Sequence, residues 1–284
     1  MSSTLGEQTI PEAKLGHSST PSEPRCAEYY EIAQPEGRAI ANDSFCLPFV
    51  SLQPKLSFQI NQCTFWNKNS VFPIFNIWRP GYFGISLPEL GSDPVKFKRK
   101  NDFIVTGRED DMEACKTSNT DAIPFSTEGL VAGINVHPPP WYGCRVCNCH
   151  RGYVFLPNGE RWNWTEIDRE YYQFKPEDDS RNQNVPWRAL IWQFGSSLEA
   201  SNGVPADLPF ALNRDTRICR VREFGSVSNP LMAGGPVAVM NRDGFVFLNG
   251  VGPKMAELQT EDNRALILMS GLAIVQYEGW LAER

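Results

Sequence analysis

Ala265-Leu266-Ile267-Leu268-Met269-Ser270-Gly271-Leu272-Ala273-Ile274-Val275 is the stretch that decides the fold. It contains one polar residue, Ser270, among eleven. Upstream, Thr260 is a residue type that caps helices, and Glu261 and Asp262 follow it, where the helix dipole favours negative charge. Length and capping favour a helix. The frequent Ile and Val leave a buried strand as the competing interpretation.

A helix over this run would be about 16 Å long, roughly half the hydrocarbon thickness of a bilayer. Because the run is apolar on every face, the helix must be surrounded by other parts of the protein. Strands are the available wrapping. The sequence therefore predicts a mainly β protein in which a closed antiparallel β-barrel, or a strongly curled sheet, encloses a hydrophobic C-terminal helix.

Two hairpins give the strongest strand signals upstream. The first runs over residues 153–156, turns at Pro157-Asn158-Gly159 and returns over residues 161–164. Pro and Gly at those positions suit a type I turn with a following bulge. The second joins residues 237–240 to 245–248 through Asn241-Arg242-Asp243-Gly244. Further short apolar or alternating runs predict strands at residues 56–60, 72–77, 104–106, 189–194 and 218–222.

The chain divides into a tail and one domain. Residues 1–40 are rich in Ser, Pro, Glu and Gly and poor in large aliphatic residues, a composition typical of a disordered segment. Apolar character begins near residue 45, so residues 41–284 are predicted to form a single domain. The acidic passage near 108–120 is interpreted as a loop inserted into that domain.

Composition excludes some classes of protein. A net charge of −6 over 284 residues argues against nucleic-acid binding, which usually requires a strongly basic domain. The first residues have no apolar core of a secretory signal, and no stretch approaches the about 20 apolar residues of a membrane span. A cytoplasmic protein is expected, with a nuclear or peripheral membrane location as alternatives. The eight cysteines are then expected to be free thiols.

Three stretches resemble the Tubby carboxy-terminal-like superfamily, which includes the LURP-one-related proteins and the phospholipid scramblases. They are Gly152-Tyr153-Val154-Phe155, Asn158-Gly159-Glu160-Arg161-Trp162-Asn163-Trp164, and residues 265–278. The chain is similar to fungal members in its G-x-x-W-x-W strand and closing apolar helix. The resemblance covers roughly residues 41–284. It implies a closed antiparallel barrel around a central helix, with phosphoinositides bound through basic residues on the barrel.

Two sets of basic residues are candidates for such a lipid site. Lys96, Lys98 and Lys100 alternate, so in a strand they share one face while Phe97 points the other way. In the second set, Arg220 and Arg222 share a strand face opposite Cys219, and Arg214 and Arg217 lie just upstream. Converging cations would hold an anionic head group by charge-assisted hydrogen bonds. Exposed lysines also protect strand edges from aggregation, which is the alternative interpretation. The arginines of the second set are Arg214, Arg217, Arg220 and Arg222.

A cluster of thiols and an imidazole is the candidate metal site. Its members are Cys144, Cys147, Cys149 and His150. Thiolate and imidazole at such spacing are ligand types of tetrahedral zinc, and the distant Cys219 would supply a further thiol. A second well-spaced cysteine pair is missing, so ordinary packing and redox-responsive thiols stay open as alternatives. No cofactor is expected, with zinc at this cluster as the exception.

Enzyme signatures are sparse. The chain has three histidines, and it lacks a G-x-S-x-G elbow, a Walker loop and a dinucleotide glycine fingerprint. The leading hypothesis is therefore a non-enzymatic protein that binds an anionic lipid, such as a phosphoinositide, or a protein partner at a membrane surface. The alternative is a β-barrel enzyme or a small-molecule or metal-binding protein that uses the cluster at residues 144–150.

Overall fold

The structure is a computed structural model that describes fourteen ranges of the chain. They are residues 26–34, 54–64, 67–90, 94–98, 100–107, 125–127, 129–137, 150–167, 171–177, 187–195, 203–206, 208–223, 235–248 and 260–281. The cysteines at positions 144, 147 and 149 and the predicted acidic insertion at 108–120 lie outside these ranges.

Fourteen strands and one long helix make up the described structure. The strands are β1 Cys26–Ala33, β2 Lys55–Thr64, β3 Asn67–Arg79, β4 Ile85–Leu87, β5 Val95–Phe97, β6 Phe103–Gly107, β7 Leu130–Val136, β8 His150–Phe155, β9 Arg161–Ile167, β10 Tyr171–Pro176, β11 Trp187–Phe194, β12 Arg217–Glu223, β13 Pro236–Met240 and β14 Gly244–Leu248. A short 3-10 helix, Pro88–Leu90, follows β4, and the long helix α1 spans Glu261–Tyr277.

Twelve strands close into an antiparallel barrel in the order β1-β14-β13-β12-β11-β10-β9-β8-β7-β6-β3-β2. Most neighbours in the barrel are also neighbours in the chain, and the barrel closes where β1 pairs with β14. Strands β4 and β5 form a separate two-stranded sheet. The prediction of a mainly β protein with a closed antiparallel barrel around a C-terminal helix is confirmed.

Helix α1 is buried on all sides over its centre. Every residue from Leu266 to Val275 is buried, and these side chains belong to one core with the inward-facing residues of the strands. Trp192 on β11 donates from Nε1 to the Ser270 Oγ at 2.8 Å, so the one polar residue of the apolar run has an interior partner. The barrel interior is thus filled by a helix whose uniform apolarity required enclosure.

The helix approaches the wall closely at Gly271. A Cβ atom at this position would lie 2.2 Å from Cε1 of Phe245 and 3.0 Å from Sδ of Met240. Only glycine permits this approach of the helix to β13 and β14 without displacing side chains.

Both ends of α1 are set by backbone contacts. Thr260 occupies the predicted cap position, but its side chain makes no capping hydrogen bond; its carbonyl oxygen accepts from the Arg264 N–H at 3.0 Å. At the other end Gly279, with φ of 77°, donates to the Gln276 oxygen, and Trp280 donates to the Val275 oxygen. This pair of bonds is a Schellman motif, and it directs Glu278 and Trp280 back toward the barrel.

The prediction that residues 1–40 are disordered is wrong for Cys26–Ala33, which forms strand β1. Cys26–Ala33 lies within the segment 1–40 that composition assigns to disorder, yet it pairs with both β14 and β2. Tyr30 and Ile32 alternate along it and are buried in the interior core. The alternation of two apolar residues, rather than the average composition around it, determines the structure here. The rest of segment 1–40, apart from residue 34, lies outside the described residues.

Both predicted hairpins are present as β8–β9 and β13–β14. Gly159 has φ of 82° in the first turn and donates its N–H to the Leu156 oxygen at 3.0 Å. In the second turn, Oδ1 of Asn241 accepts from the backbone N–H groups of Asp243 and Gly244 at 2.8 and 3.1 Å. The five other predicted strand runs lie within β2, β3, β6, β11 and β12.

Among the described residues, no helix is long and apolar enough to cross a bilayer.

Candidate binding surface at one end of the barrel

The barrel end at which α1 terminates is here named the C-end, and the predicted lysines lie beside it. Lys55 opposes Arg79 across β2 and β3, and Ile104 opposes Trp78 across β3 and β6, so the termini of these strands lie at one end. Gln276, in the last turn of α1, donates from Nε2 to Oδ1 of Asn101 at 3.1 Å, immediately before β6. This bond places the helix C-terminus at the same end.

The three predicted lysines are exposed beside this end. Lys96 is exposed on β5, while its neighbours Val95 and Phe97 are buried, as the alternation predicts. Strand β5 ends at Phe97, so Lys98 and Lys100 extend from the segment that follows it rather than from one continuous strand face. The Lys98 N–H donates to Oδ2 of the buried Asp102 at 2.9 Å, which fixes the start of this segment.

A pair of exposed aromatic rings lies next to these lysines. Tyr82 is 64% exposed and Phe83 is 72% exposed, and their ring centroids are 5.4 Å apart in an edge-to-face arrangement. They occupy a tight turn in which the Gly84 N–H donates to the Gly81 oxygen at 2.9 Å. Gly84 has φ of 73°, and a Cβ there would lie 2.6 Å from the Phe97 oxygen and 3.1 Å from Cβ of Lys98. The aromatic turn therefore contacts the lysine segment directly.

We name Tyr82, Phe83, Lys96, Lys98 and Lys100 the aromatic–lysine surface. The small sheet beneath it packs on the outside of the barrel through a second core, in which Phe97 contacts Phe155 with ring centroids 5.8 Å apart. Sequence reasoning missed the two aromatic residues. The available signal was the Pro80-Gly81 and Gly84 turn punctuation on either side of an aromatic pair.

The predicted arginine set divides into residues with different environments. Arg214 is exposed, and the side chain of Arg222 lies outside the described residues. Arg220 is buried, with Nε donating to Oε1 of Gln193 at 3.1 Å, and burial lowers its pKa. Arg217 is 4% exposed and points into the barrel. The sequence predicts that Arg220 and Arg222 share a strand face, but the Arg220 side chain is buried and is not available there to an anionic head group.

Arg217 is engaged by the segment that follows α1. Its Nη2 lies 2.5 Å from Oε2 of Glu278, and its Nε donates to Oε1 of the same carboxylate at 2.9 Å. Its guanidinium carbon is 3.9 Å from the centroid of the Phe194 ring and 5.1 Å from that of Trp280. Its donors and its flat face are thus occupied by internal contacts.

The two predicted basic sets lie on different sides of the barrel. In the closed order, β2, β1, β14 and β13 separate β3 from β12 on one side, and β7 to β11 separate β6 from β12 on the other. Strands β3 and β6 flank the lysines, and β12 carries the arginines. The structure therefore does not bring the two sets into one surface.

Two buried ion pairs, Arg151–Glu166 and Arg217–Glu278, line the interior at the C-end. Arg151 on β8 donates to Oε2 of Glu166 on β9 at 3.1 Å, and the Tyr277 hydroxyl donates to the same oxygen at 2.9 Å. Beside them, the Tyr172 hydroxyl donates to Oε1 of Glu278 at 2.7 Å. Burial, followed by the nearby carboxylates, raises the pKa of both tyrosines well above its usual range.

These tyrosines predict a loss of stability in alkali. Because the pKa of each tyrosine is higher in the folded than in the unfolded state, the folded state is favoured by keeping the hydroxyl protonated. This stabilisation is complete below about pH 10, the pKa of an unfolded tyrosine, and is lost as the pH rises above that value. Urea unfolding between pH 8 and pH 11 should show a falling free energy of unfolding. The Tyr172→Phe/Tyr277→Phe variant should show a shallower fall. A free energy that is constant over this range in the unmodified protein would contradict the prediction.

The candidate metal cluster is represented by His150 alone. Its Nδ1 lies 3.3 Å from the Trp164 carbonyl oxygen, and its ring centroid is 4.4 Å from that of Tyr153. Cys219, the proposed distant ligand, is fully buried in the interior on β12, which three intervening strands separate from β8, and burial raises the pKa of its thiol. Within the described ranges, no group of three His, Cys, Asp or Glu side chains could hold a metal ion.

Comparisons of the chain with protein-family models, with curated proteins and with solved structures gave no match.

Proposed function

We propose that this chain is a non-enzymatic binding protein that engages anionic lipid, of the phosphoinositide type, at a membrane surface. The observation that supports this function best is the exposed pair Tyr82 and Phe83, in a turn whose Gly84 lies against the Lys98 segment. Two adjacent exposed aromatic rings form a contiguous apolar patch, a feature of interaction surfaces, and such rings partition into the membrane interface.

The charge of the surface complements an anionic leaflet. Lys96, Lys98 and Lys100 are exposed within a few residues of one another. Basic residues near an anionic surface contribute about 1 kcal/mol each, and aromatic rings add apolar area buried in the interface. Because the aromatic turn directly precedes β4 and the lysines lie on β5 or directly after it, both contributions are attached to one small sheet that packs on the barrel.

The resemblance to the Tubby-like superfamily supports the same function, since those proteins bind phosphoinositides through basic residues on the barrel. Arg217 and Arg220 do not belong to the proposed surface, because their donors are used inside the protein. Arg214 lies three residues before β12, away from the lysines, and is also left out.

Vesicle sedimentation tests the proposal. The protein should pellet with vesicles that contain phosphoinositide and stay in solution with neutral phosphatidylcholine vesicles. At low salt, the Lys96→Ala/Lys98→Ala/Lys100→Ala variant should bind about 100-fold more weakly, from about 1 kcal/mol per lysine. Raised salt should weaken binding of the unmodified protein, since it screens exposed charges.

Two further variants sharpen this test. Tyr82→Ala/Phe83→Ala should weaken binding at high salt as well, because it removes an apolar contribution rather than a charge. Lys175→Ala alters an exposed lysine on β10 and serves as the matched control, with unchanged binding expected. Equal pelleting with neutral and phosphoinositide vesicles would reject lipid binding.

A further inference from the structure

Arg79 occupies an unusual position at the C-end. It is the last residue of β3, and it faces the interior, as Ile77 two residues earlier does. Its guanidinium carbon lies 5.7 Å from the ring centroid of Phe58 on β2 and 5.8 Å from that of Phe103 on β6. A cation is thus held between two aromatic rings at the C-end of the barrel, and Arg79 is only partly buried.

Other inward-facing arginines have a carboxylate partner. Arg151 pairs with Glu166, Arg217 with Glu278, and Arg264 with Glu28. Each pairing supplies the counter-charge that a desolvated guanidinium requires.

Among the described residues, Arg79 has no such partner. It forms no ion pair with them, and its Nε is buried without a hydrogen-bond acceptor. Burial lowers the pKa of Arg79, and no acid in the described ranges opposes that effect. A buried donor on a charged group without an acceptor is unfavourable, and such groups in folded proteins usually meet an ion, water or ligand.

We propose that Arg79 is the central group of a binding site for a phosphate-type oxyanion, either free phosphate or the phosphomonoester of a lipid head group. A guanidinium presents paired donors that match the oxygens of phosphate, and the flanking rings hold its plane. Lys55, exposed and directly across the β2–β3 pair from Arg79, supplies a second positive charge for a dianion. The inference goes beyond the membrane proposal and does not depend on it, because free phosphate would satisfy the same donors.

Thermal unfolding of the full chain in phosphate and in chloride at equal ionic strength tests the site. Ligand that binds only the folded state raises the melting temperature, and at ten times its Kd the rise should be about 3–6 °C. Arg79→Gln should abolish this rise while remaining folded in chloride, because the substitution removes an unpaired charge rather than a pair. Arg161→Gln, which alters an outward-facing arginine that pairs with Glu177, should keep the full rise.

The choice of anion and vesicle separates the sources of phosphate. Acetate should give no rise, because the site is proposed for a dianion. If lipid is the source, vesicles containing phosphatidic acid should bind more of the unmodified protein than phosphatidylserine vesicles of equal charge, and Arg79→Gln should remove this preference. If free phosphate is the source, the rise in melting temperature should occur without a vesicle preference.

Equal rises in the unmodified protein and in Arg79→Gln would overturn the inference. So would equal rises with acetate and phosphate, or no rise together with no preference for phosphatidic acid. The membrane proposal fails separately, because a protein that binds no vesicle but loses its phosphate response in Arg79→Gln would retain the anion site without the lipid function.

Discussion

Replacing Arg217 with methionine should lower the free energy of unfolding by about 3–5 kcal/mol. The substitution keeps most of the apolar volume but leaves the Glu278 carboxylate inside the C-end without its bidentate partner. The Tyr172 hydroxyl remains as a neutral donor to that carboxylate and does not replace a cation. The methionine also loses the contact of the guanidinium with the Phe194 ring.

Urea unfolding followed by tryptophan fluorescence would measure this loss. Arg242→Met is the matched control at the same barrel end, because the Arg242–Asp215 pair is exposed, with side chains 44% and 48% accessible. Exposed pairs contribute about 0–1 kcal/mol. The Arg217→Met/Glu278→Gln double variant should recover part of the stability, since it no longer buries an unpaired charge. Similar losses in Arg217→Met and Arg242→Met would show that the buried pair does not hold the segment after α1.

Replacing Trp192 with alanine should lower the free energy of unfolding by about 3–5 kcal/mol as well. The indole is fully buried between the wall and the helix, edge-to-face with Phe245 at 6.5 Å between ring centroids. Its removal leaves a cavity beside α1. The closed barrel limits how far the surrounding side chains can collapse into that cavity. It also removes the donor to Ser270.

Two comparisons separate these contributions. Trp192→Phe retains an aromatic ring and loses the hydrogen bond, so a smaller loss, of about 1 kcal/mol for the bond plus a reduced packing effect, is expected. Tyr82→Ala, at a residue that is 64% exposed, should change stability by less than about 0.5 kcal/mol. A loss in Trp192→Ala no larger than in Tyr82→Ala would contradict the enclosure of α1.

The elements predicted from sequence are those whose signals are local. The two hairpins carry their turn residues between alternating strands, and α1 carries its apolar run within seventeen consecutive residues. Enclosure followed from length and apolarity together, because a helix too short for a bilayer and apolar on all faces has few other environments. Of the twelve barrel strands, β1, β7 and β10 were missed. β1 is a short alternation within a polar composition, and the barrel edges that stabilise it come from distant parts of the chain.

The site was only partly accessible from sequence. Alternation predicted the exposure of Lys96 opposite Phe97. Arg217 was included in the basic set for its position just upstream of Arg220 and Arg222. The carboxylate that pairs with it lies sixty-one positions away in the chain, so no local pattern indicated its burial. The exposure of Tyr82 and Phe83 and the missing partner of Arg79 depend on which strands meet at the C-end. Such properties are set by three-dimensional arrangement and leave no periodic pattern in the chain.

The order of the elements has a consequence for biosynthesis. A ribosome completes the twelve described barrel strands before it translates Glu261–Tyr277, the segment that occupies their common interior. Translation proceeds at about 5–20 residues per second, so the apolar inner faces of the strands stay uncovered until α1 has been made. Strand β1 also pairs with β14, which is translated more than two hundred residues later. Nascent chains of this protein should therefore depend on chaperones until the final helix has emerged from the exit tunnel.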